Sequence, residues 1–206
     1  MTGNRVVRPV VRTDVEPTAA AMARAFYDDP VMAWIFPDEQ MRSRRLPSFF
    51  TSAIRGNLGH GNTEVVVTGG QVLGCAIWMA PGTWRPPLWR QFAALPSVIM
   101  RLRSRLAVAS TTYGALLAAH PQLPHWYLSG IGTDPPAQGT GVGGALLRSR
   151  LARCDAAGQA AYLESSKERN VPFYERHGFR VTRELTVPGG GPVLWLMWRE
   201  PQEVRD

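Results

Sequence analysis

The chain has 206 residues, 45% of them hydrophobic and 19% charged, which is the balance of one soluble domain with a sizeable core. Its net charge of +7 comes from 23 basic residues, of which Lys167 is the only lysine, against 16 acidic ones. No basic run interleaves with aromatics and no apolar run approaches the ~20 residues of a membrane span, so neither nucleic acid nor a bilayer is an expected partner.

The first segment, Met-Thr-Gly-Asn-Arg, has no apolar signal core. Cys75 and Cys154 lack metal-ligand neighbours at the usual spacing and sit in apolar patterns. Both are expected to be buried, reduced thiols, which fits a cytoplasmic setting. No His/Cys/Asp cluster suggests a metal.

Val6 to Val11 reads as a first strand, at an edge or bulge because Pro9 lacks a ladder N–H. Thr13-Asp-Val-Glu16 is a capping-box pattern that opens a helix with Ala19, Met22, Ala23 and Phe26 on one face. That helix ends near Asp28-Asp29-Pro30, and Val31 to Phe36 gives a second short helix or turn. Asp38 to Leu58 is predicted helical, with Leu46, Phe49, Phe50, Ala53 and Ile54 as its apolar set. Thr63 to Val67 and Gln71 to Met79 form a hairpin around Gly69-Gly70. Ala80 to Pro87 reads as a loop. Leu88 to Ala119 is predicted largely helical with a break at Pro96. Arg42-Ser-Arg44-Arg45 and Arg101-Leu-Arg103-Ser-Arg105 are expected on solvated helix faces.

The stretch from His125 to Gly144 reads as strand, turn, glycine-rich loop and helix. The strand runs Tyr127 to Thr133, and Asp134-Pro135-Pro136 stops it. The helix is expected from Ala145 to about Ala157, burying a stripe of Gly143, Leu147, Leu151 and Cys154. Glycines let a backbone approach a ligand closely, and the first N–H groups of a helix have no internal partner. Together with the helix dipole they favour a phosphate or pyrophosphate. A purely structural alternative is a helix entry whose glycines serve close packing.

Two phosphate ligands fit. Gly139-x-Gly141-x-x-Gly144 satisfies a dinucleotide fingerprint, with Glu164 about twenty residues on. Against it, Asp134 to Gln138 separate the strand from the first glycine. Gln138-x-x-Gly141-x-Gly143 instead resembles the coenzyme A pyrophosphate loop of the GNAT acetyltransferase superfamily. A second block agrees in order and separation: Ala161-Tyr-Leu-Glu-Ser-Ser-Lys-Glu-Arg-Asn-Val-Pro-Phe-Tyr-Glu-Arg-His-Gly-Phe179. It resembles the next strand and the Asn…Phe-Tyr…Gly-Phe helix of that superfamily, most nearly its puromycin N-acetyltransferase-like branch.

The resemblance implies an α/β (α+β) single-domain GNAT-like fold. Its central sheet is mixed, mostly antiparallel and twisted, with about six to seven strands flanked by helices. It is splayed between strands 127–133 and 161–165, with a β-bulge around Ser129-Gly130. Residues 1–120 would supply the acceptor side and residues 121–206 the acetyl-coenzyme A core with its C-terminal hairpin, 180–187 with 193–199. Asn170 is expected to N-cap the short helix, which Gly178 ends with Phe179 as its hydrophobic contact.

The cosubstrate implied is acetyl-coenzyme A, with no metal. Ile131, Gly132 and Thr133 would meet the pantetheine arm by backbone. Gln138, Gly139, Thr140, Gly141, Val142, Gly143 and Gly144 would hold the pyrophosphate, and Asn170 either the cofactor or the helix start. Thr140 stands where Lys or Arg is frequent, and Pro135-Pro136 is stiffer than the usual turn. The resemblance also implies direct acyl transfer to a neutral amine in a ternary complex. Tyr174 is the candidate acid for the departing thiolate, a phenol of ordinary pKa about 10 beside a thiol of about 8.5. Glu164 is the candidate base, with His125, His120 and Asp29 behind it. Trp34, Phe36 and Asp29 are candidate acceptor contacts, the two aromatics reading better as core. Trp84, Trp89 and Tyr113 are candidate pocket walls.

The expected acceptor is a primary amine or hydrazide of a small molecule. Protein lysine N-acetylation and a non-catalytic acyl-coenzyme A-binding regulatory module are the alternatives. A deep pocket walled by residues 80–120 favours the first, and an open groove with acidic rims the second. A monomer or homodimer is expected.

Overall fold

A computed structural model describes residues 5–84 and 103–203. Seven strands form one sheet: β1 (Val6–Pro9), β2 (Thr63–Thr68), β3 (Gln71–Met79), β4 (His125–Thr133), β5 (Ala160–Ser165), β6 (Arg180–Thr186) and β7 (Val193–Arg199). Their spatial order is β1-β2-β3-β4-β5-β7-β6. Only β4 and β5 run parallel, and every other neighbouring pair is antiparallel. The helices are α1 (Val15–Ala25), α2 (Pro30–Ile35), α3 (Glu39–Gly56), α4 (Arg103–Ala119), α5 (Val142–Ala156) and α6 (Val171–Glu175). The mixed, mostly antiparallel sheet flanked by helices is the architecture expected. Leu88 to Leu102, with Trp89 and the Pro96 break, lies outside the described residues.

Side chains alternate across each strand, so neighbouring residues serve different cores. Val66, Ala76, Leu128, Leu163 and Met197 face α5 and α6, meeting Leu146, Leu147, Leu151, Tyr174 and Phe179. Val65, Cys75 and Ile77 face the other way and pack under α1 and α3, against Met22, Leu46, Phe50 and Ile54. On that same side, further along the sheet, Tyr162, Leu194 and Leu196 meet Val31, Trp34, Leu116 and Ala119 from α2 and α4. Trp34 thus packs in this core, and Phe36 is buried. Cys75 and Cys154 are both free and fully buried. Burial raises both thiols, Cys154 to about 11.

Several local signals behave as read. β1 is an edge strand. Gly69 and Gly70 have φ of +54° and +81°, the conformation a two-residue hairpin turn needs. Gly178 ends α6 at φ +86° and Phe179 N–H donates back to Tyr174 C=O at 3.2 Å.

Others differ. Thr13 lies inside a short 3-10 turn, and Asp14 uses its carboxylate on Val11 N–H and Arg8, so the capping box is not formed. Asn170 precedes α6 in a right-handed conformation, after another 3-10 turn, and its side chain caps nothing. α5 begins at Val142 rather than Ala145, because Gly141 at φ +86° already turns the chain into the helix. Arg42 is not solvated: it is buried and donates to Phe36 C=O at 2.8 Å. Among the described residues no helix is long and apolar enough to cross a membrane, and no group of three or more His, Cys, Asp or Glu is placed to hold a metal ion.

Candidate active site

β4 and β5 pair only from His125–Leu128 to Ala160–Leu163. Beyond Leu128 the register of β4 on β3 jumps: Trp78 faces Leu128 while Ile77 faces Gly130. Ser129 is the extra residue, and its hydroxyl donates to Ile77 C=O at 3.2 Å. A bulge bends its strand and frees backbone groups from the ladder. Here it turns β4 away from β5 and opens a cleft. Its walls are Leu128–Ile131, Leu163–Lys167, Asn170, Tyr174 and the end of α1.

The glycine loop lies at the end of β4. Gly139 and Gly141 have φ of +73° and +86°, where an L side chain is strained. Gln138 Nε2 donates to Thr133 C=O at 3.2 Å, Thr140 Oγ1 to Ala137 C=O at 2.7 Å, and Arg5 also donates to Thr140 C=O. The first intrahelical bond runs from Ala145 N–H to Gly141 C=O at 3.0 Å. The N–H groups of Val142, Gly143 and Gly144 are therefore outside the helix ladder. Gly143 and Gly144 also serve packing. A Cβ on Gly143 would come within 3.3 Å of Phe173, and one on Gly144 within 3.5 Å of His177. Gly132 lies against α1, a Cβ there falling 2.8 Å from Met22 Sδ. A short 3-10 turn, Pro135–Ala137, separates β4 from the loop, unlike a dinucleotide turn that follows its strand directly.

On the α2–α4 face a cavity of about 220 Å³ adjoins the cleft. Its apolar walls come from α1, α2, α3, β3 and α4, with Phe26, Phe49, Phe50, Trp84, Tyr113 and Tyr127 as the aromatics. Cavity and cleft share Phe26, Asp29, Ser129, Gly130, Glu164 and Ser166. Among the described residues, the polar groups shared by the two are carboxylates, hydroxyls and bulged backbone.

Asp29 is 5% exposed and N-caps α2, accepting from Val31 and Met32 N–H at 3.0 Å each and from the Ser166 hydroxyl. Burial pushes its carboxyl up against these bonds. Beside it, Asp28 pairs with Lys167 at 2.5 Å and Arg169 at 3.0 Å, tying the α1–α2 turn to the segment after β5. Glu164 reaches the cavity because it shares a strand face with Tyr162. Its Oε1 lies 3.5 Å from His120 Nδ1 and makes no hydrogen bond. Burial first and the Glu164 carboxylate second keep the Tyr127 and Tyr162 hydroxyls protonated far above neutral pH. Tyr174 is 7% exposed, its ring edge-on to Phe173 and Phe179, with centroids at 5.2 and 6.1 Å. Burial, then the Asp29 charge, raise its hydroxyl well above an ordinary phenol.

Of the residues expected from sequence, Glu164, Tyr174, Asn170 and Ile131 meet in the cleft, with Asp29. Gly132 and Thr133 continue the β4 edge toward the loop, and Gln138–Gly144 lie beyond it. Trp84 and Tyr113 do wall the cavity. His120, a candidate base behind Glu164, lines the cavity. It is 5% exposed, stacked 3.6 Å from the Trp84 ring and bonded to His125. The usable signal was the His120-Pro-Gln-Leu-Pro-His125 segment, a short stiff connection with a histidine at each end.

A family model described as acetyltransferase (GNAT) domain matches residues 60–181, more than half of the chain. An uncharacterized N-acetyltransferase of Schizosaccharomyces pombe is 29% identical over 203 residues, 92% of this chain and 81% of the relative. A solved structure titled histone acetyltransferase HPA2 and related acetyltransferase, from Corynebacterium glutamicum, superposes with a TM-score of 0.72 at 28% identity, covering 98% and 99% of the two chains. A putative arylalkylamine N-acetyltransferase 7 of Aedes aegypti has the same fold at TM-score 0.62 and 16% identity, over 96% and 88%.

Proposed function

The chain belongs to the GNAT acetyltransferase family, and from that premise we propose that it acetylates the primary amine of a small apolar molecule. The enzyme class, an N-acetyltransferase, follows from the family. The acceptor reading rests on one observation: an apolar, aromatic-walled cavity meets the β4–β5 cleft at Glu164 and Asp29. At about 220 Å³ it is below the ~300–1,000 Å³ of drug-sized sites, which suits a compact monoamine. A peptide would need an open groove to carry its backbone. The sequence resemblance to the puromycin N-acetyltransferase-like branch favours a small molecule in the same sense.

Acetyl-coenzyme A, the donor used by this family, supplies the activated acetyl thioester. The residues present fit it. The N–H groups of Val142, Gly143 and Gly144 at the start of α5, with the Gly139–Gly141 turns, would hold the pyrophosphate. Gln138 and Thr140 shape that turn through their bonds to Thr133 and Ala137. The β4 edge at Ile131, Gly132 and Thr133 would accept the pantetheine arm by strand-like pairing. Asn170 lines the same cleft.

Glu164 stands where the acceptor's ammonium arrives and takes its proton, which leaves the nitrogen lone pair for attack. Bulged backbone at Ser129–Gly130 faces the charge that develops on the carbonyl oxygen. Tyr174 keeps its proton and offers it to sulfur as the C–S bond breaks. Purified protein is mixed with acetyl-coenzyme A and a panel of arylalkyl monoamines, polyamines and lysine peptides, and thiol release is followed. Monoamines are expected to exceed lysine peptides at least tenfold in kcat/KM. Preference for the peptides overturns the reading.

A further inference from the structure

Four groups follow one another in contact from the junction: Glu164, His120, His125 and the Leu123 carbonyl. We propose that Glu164 and His120 together hold one proton, that this pair rather than Glu164 alone is the base, and that His125 is a positioning residue fixing the tautomer of His120. This rests on the reading of the cavity as the acceptor site.

The assignment follows from donors and acceptors taken in order. Leu123 C=O can only accept, and His125 Nδ1 lies 2.6 Å from it, so His125 carries its proton on Nδ1. His125 is 1% exposed, and burial, the largest influence on it, holds it below the ordinary imidazole range. It is therefore neutral, and its Nε2 has a lone pair. His120 Nε2 lies 2.9 Å from that lone pair and must be the donor. A neutral His120 then turns the lone pair of Nδ1 toward Glu164. Glu164 Oε1 is buried, unbonded and 3.5 Å away. Two lone pairs face each other across a gap that one proton fills. The opposite tautomer of His120 would press two lone pairs together at 2.9 Å against His125.

Among the described residues, the Tyr127 and Tyr162 hydroxyls also bear on Glu164 and keep their protons. His120 is faced by His125 and Tyr127 from β4, by Tyr162 and Glu164 from β5, and by the Trp84 ring from the loop after β3. Tyr113 on α4 bears on Tyr127, Arg183 on β6 bears on Tyr162, and both of those tyrosines stay protonated. Of the pair, Glu164 borders both the cavity and the cleft while His120 borders the cavity, so Glu164 meets the ammonium first and His120 shares the proton from behind. Acetylation of an ammonium moves one proton to the thiolate sulfur and releases one net. The released proton sits between Oε1 and Nδ1 until the cavity next exchanges with water.

The test begins with the free protein labelled with 15N-histidine. Long-range proton–nitrogen spectra at high pH are expected to show His125 as the Nδ1–H tautomer and His120 as the Nε2–H tautomer. Glu164→Gln is expected to move the His120 Nδ1 resonance and leave that of His125 Nδ1 in place. These spectra need no substrate, so they judge the proton arrangement even if every amine tried is inert. In turnover, kcat/KM is expected to rise with pH along an acidic limb. His120→Gln should lower kcat/KM about 100-fold, the low end for a lost acid–base group, and remove that limb. His125→Gln should move the limb while the melting shift given by acetyl-coenzyme A persists. The Nδ1–H tautomer at His120, or an unchanged limb in His120→Gln, overturns the proposal.

Discussion

Tyr174 carries a tension that its sequence position did not reveal. A phenol of ordinary acidity is a good partner for a departing thiolate, but burial and the neighbouring Asp29 hold this one well above that range. In the proposed role it stays a hydrogen-bond donor and would give up its proton only as the sulfur gains full charge. Tyr174→Phe keeps the ring that packs on Phe173 and Phe179. We expect kcat to fall about 100-fold and the dissociation constant of acetyl-coenzyme A to stay within a few-fold, measured by stopped-flow turnover and calorimetry. A collapse of cofactor binding would remove Tyr174 from the chemistry. Its position was legible because the Asn-Val-Pro-Phe-Tyr segment is local. The partner of Glu164 was not. His120 is 44 residues upstream, and only the sheet brings their side chains within 3.5 Å.

The glycines at the start of α5 divide by what they do, and the division sets their mutational costs. Gly141 has open space around a would-be Cβ but φ of +86°. Gly141→Ala should therefore cost about 1–2 kcal/mol from backbone strain alone and weaken acetyl-coenzyme A binding through the displaced N–H groups. Gly132 has an ordinary backbone but a Cβ 2.8 Å from Met22 Sδ and 3.0 Å from Ala25 Cβ. Gly132→Ala should cost about 1–3 kcal/mol by overpacking α1 on β4. Denaturant midpoints separate the two from wild type, and ligand melts separate them from each other. The sequence made the glycine count plain but not this division, since it depends on what α1 and α6 bring against them. The same holds for caps. Thr13-Asp-Val-Glu16 has the right letters, yet Arg8 on β1 claims Asp14 and the turn tightens instead.

Strand order was the largest fact hidden from the sequence. β7 inserts between β5 and β6, which places Arg199 over the end of α5. Arg199, 3% exposed, donates to Asp155 at 2.6 and 2.8 Å and to His177 C=O at 2.8 Å. Burial works against the Asp155 charge, but Arg199 and Gln202 N–H hold its carboxyl below the usual range. A depressed carboxylate gives its full stability above the unfolded value, about 4, and loses it as pH falls through the folded one. Stability should accordingly drop below about pH 4, and Asp155→Asn should cost about 3 kcal/mol and flatten that drop. A pH series of melts reads both. Ligand linkage acts on the whole chain too. Acetyl-coenzyme A at 100 times its dissociation constant should add about 2.7 kcal/mol, roughly 5–10 °C, while NAD should add nothing.

The clasp between Asp28 and Lys167 holds the chain's only lysine at the wall of the cleft. A lysine-specific protease therefore has a single bond to cut, between Lys167 and Glu168, in the connection between β5 and the segment before α6. Digestion of the native protein becomes a one-band clock for cleft opening. Its rate should slow as acetyl-coenzyme A fills the cleft and quicken with salt that loosens the ion pair, giving a reporter of occupancy that requires no label and no knowledge of the acceptor.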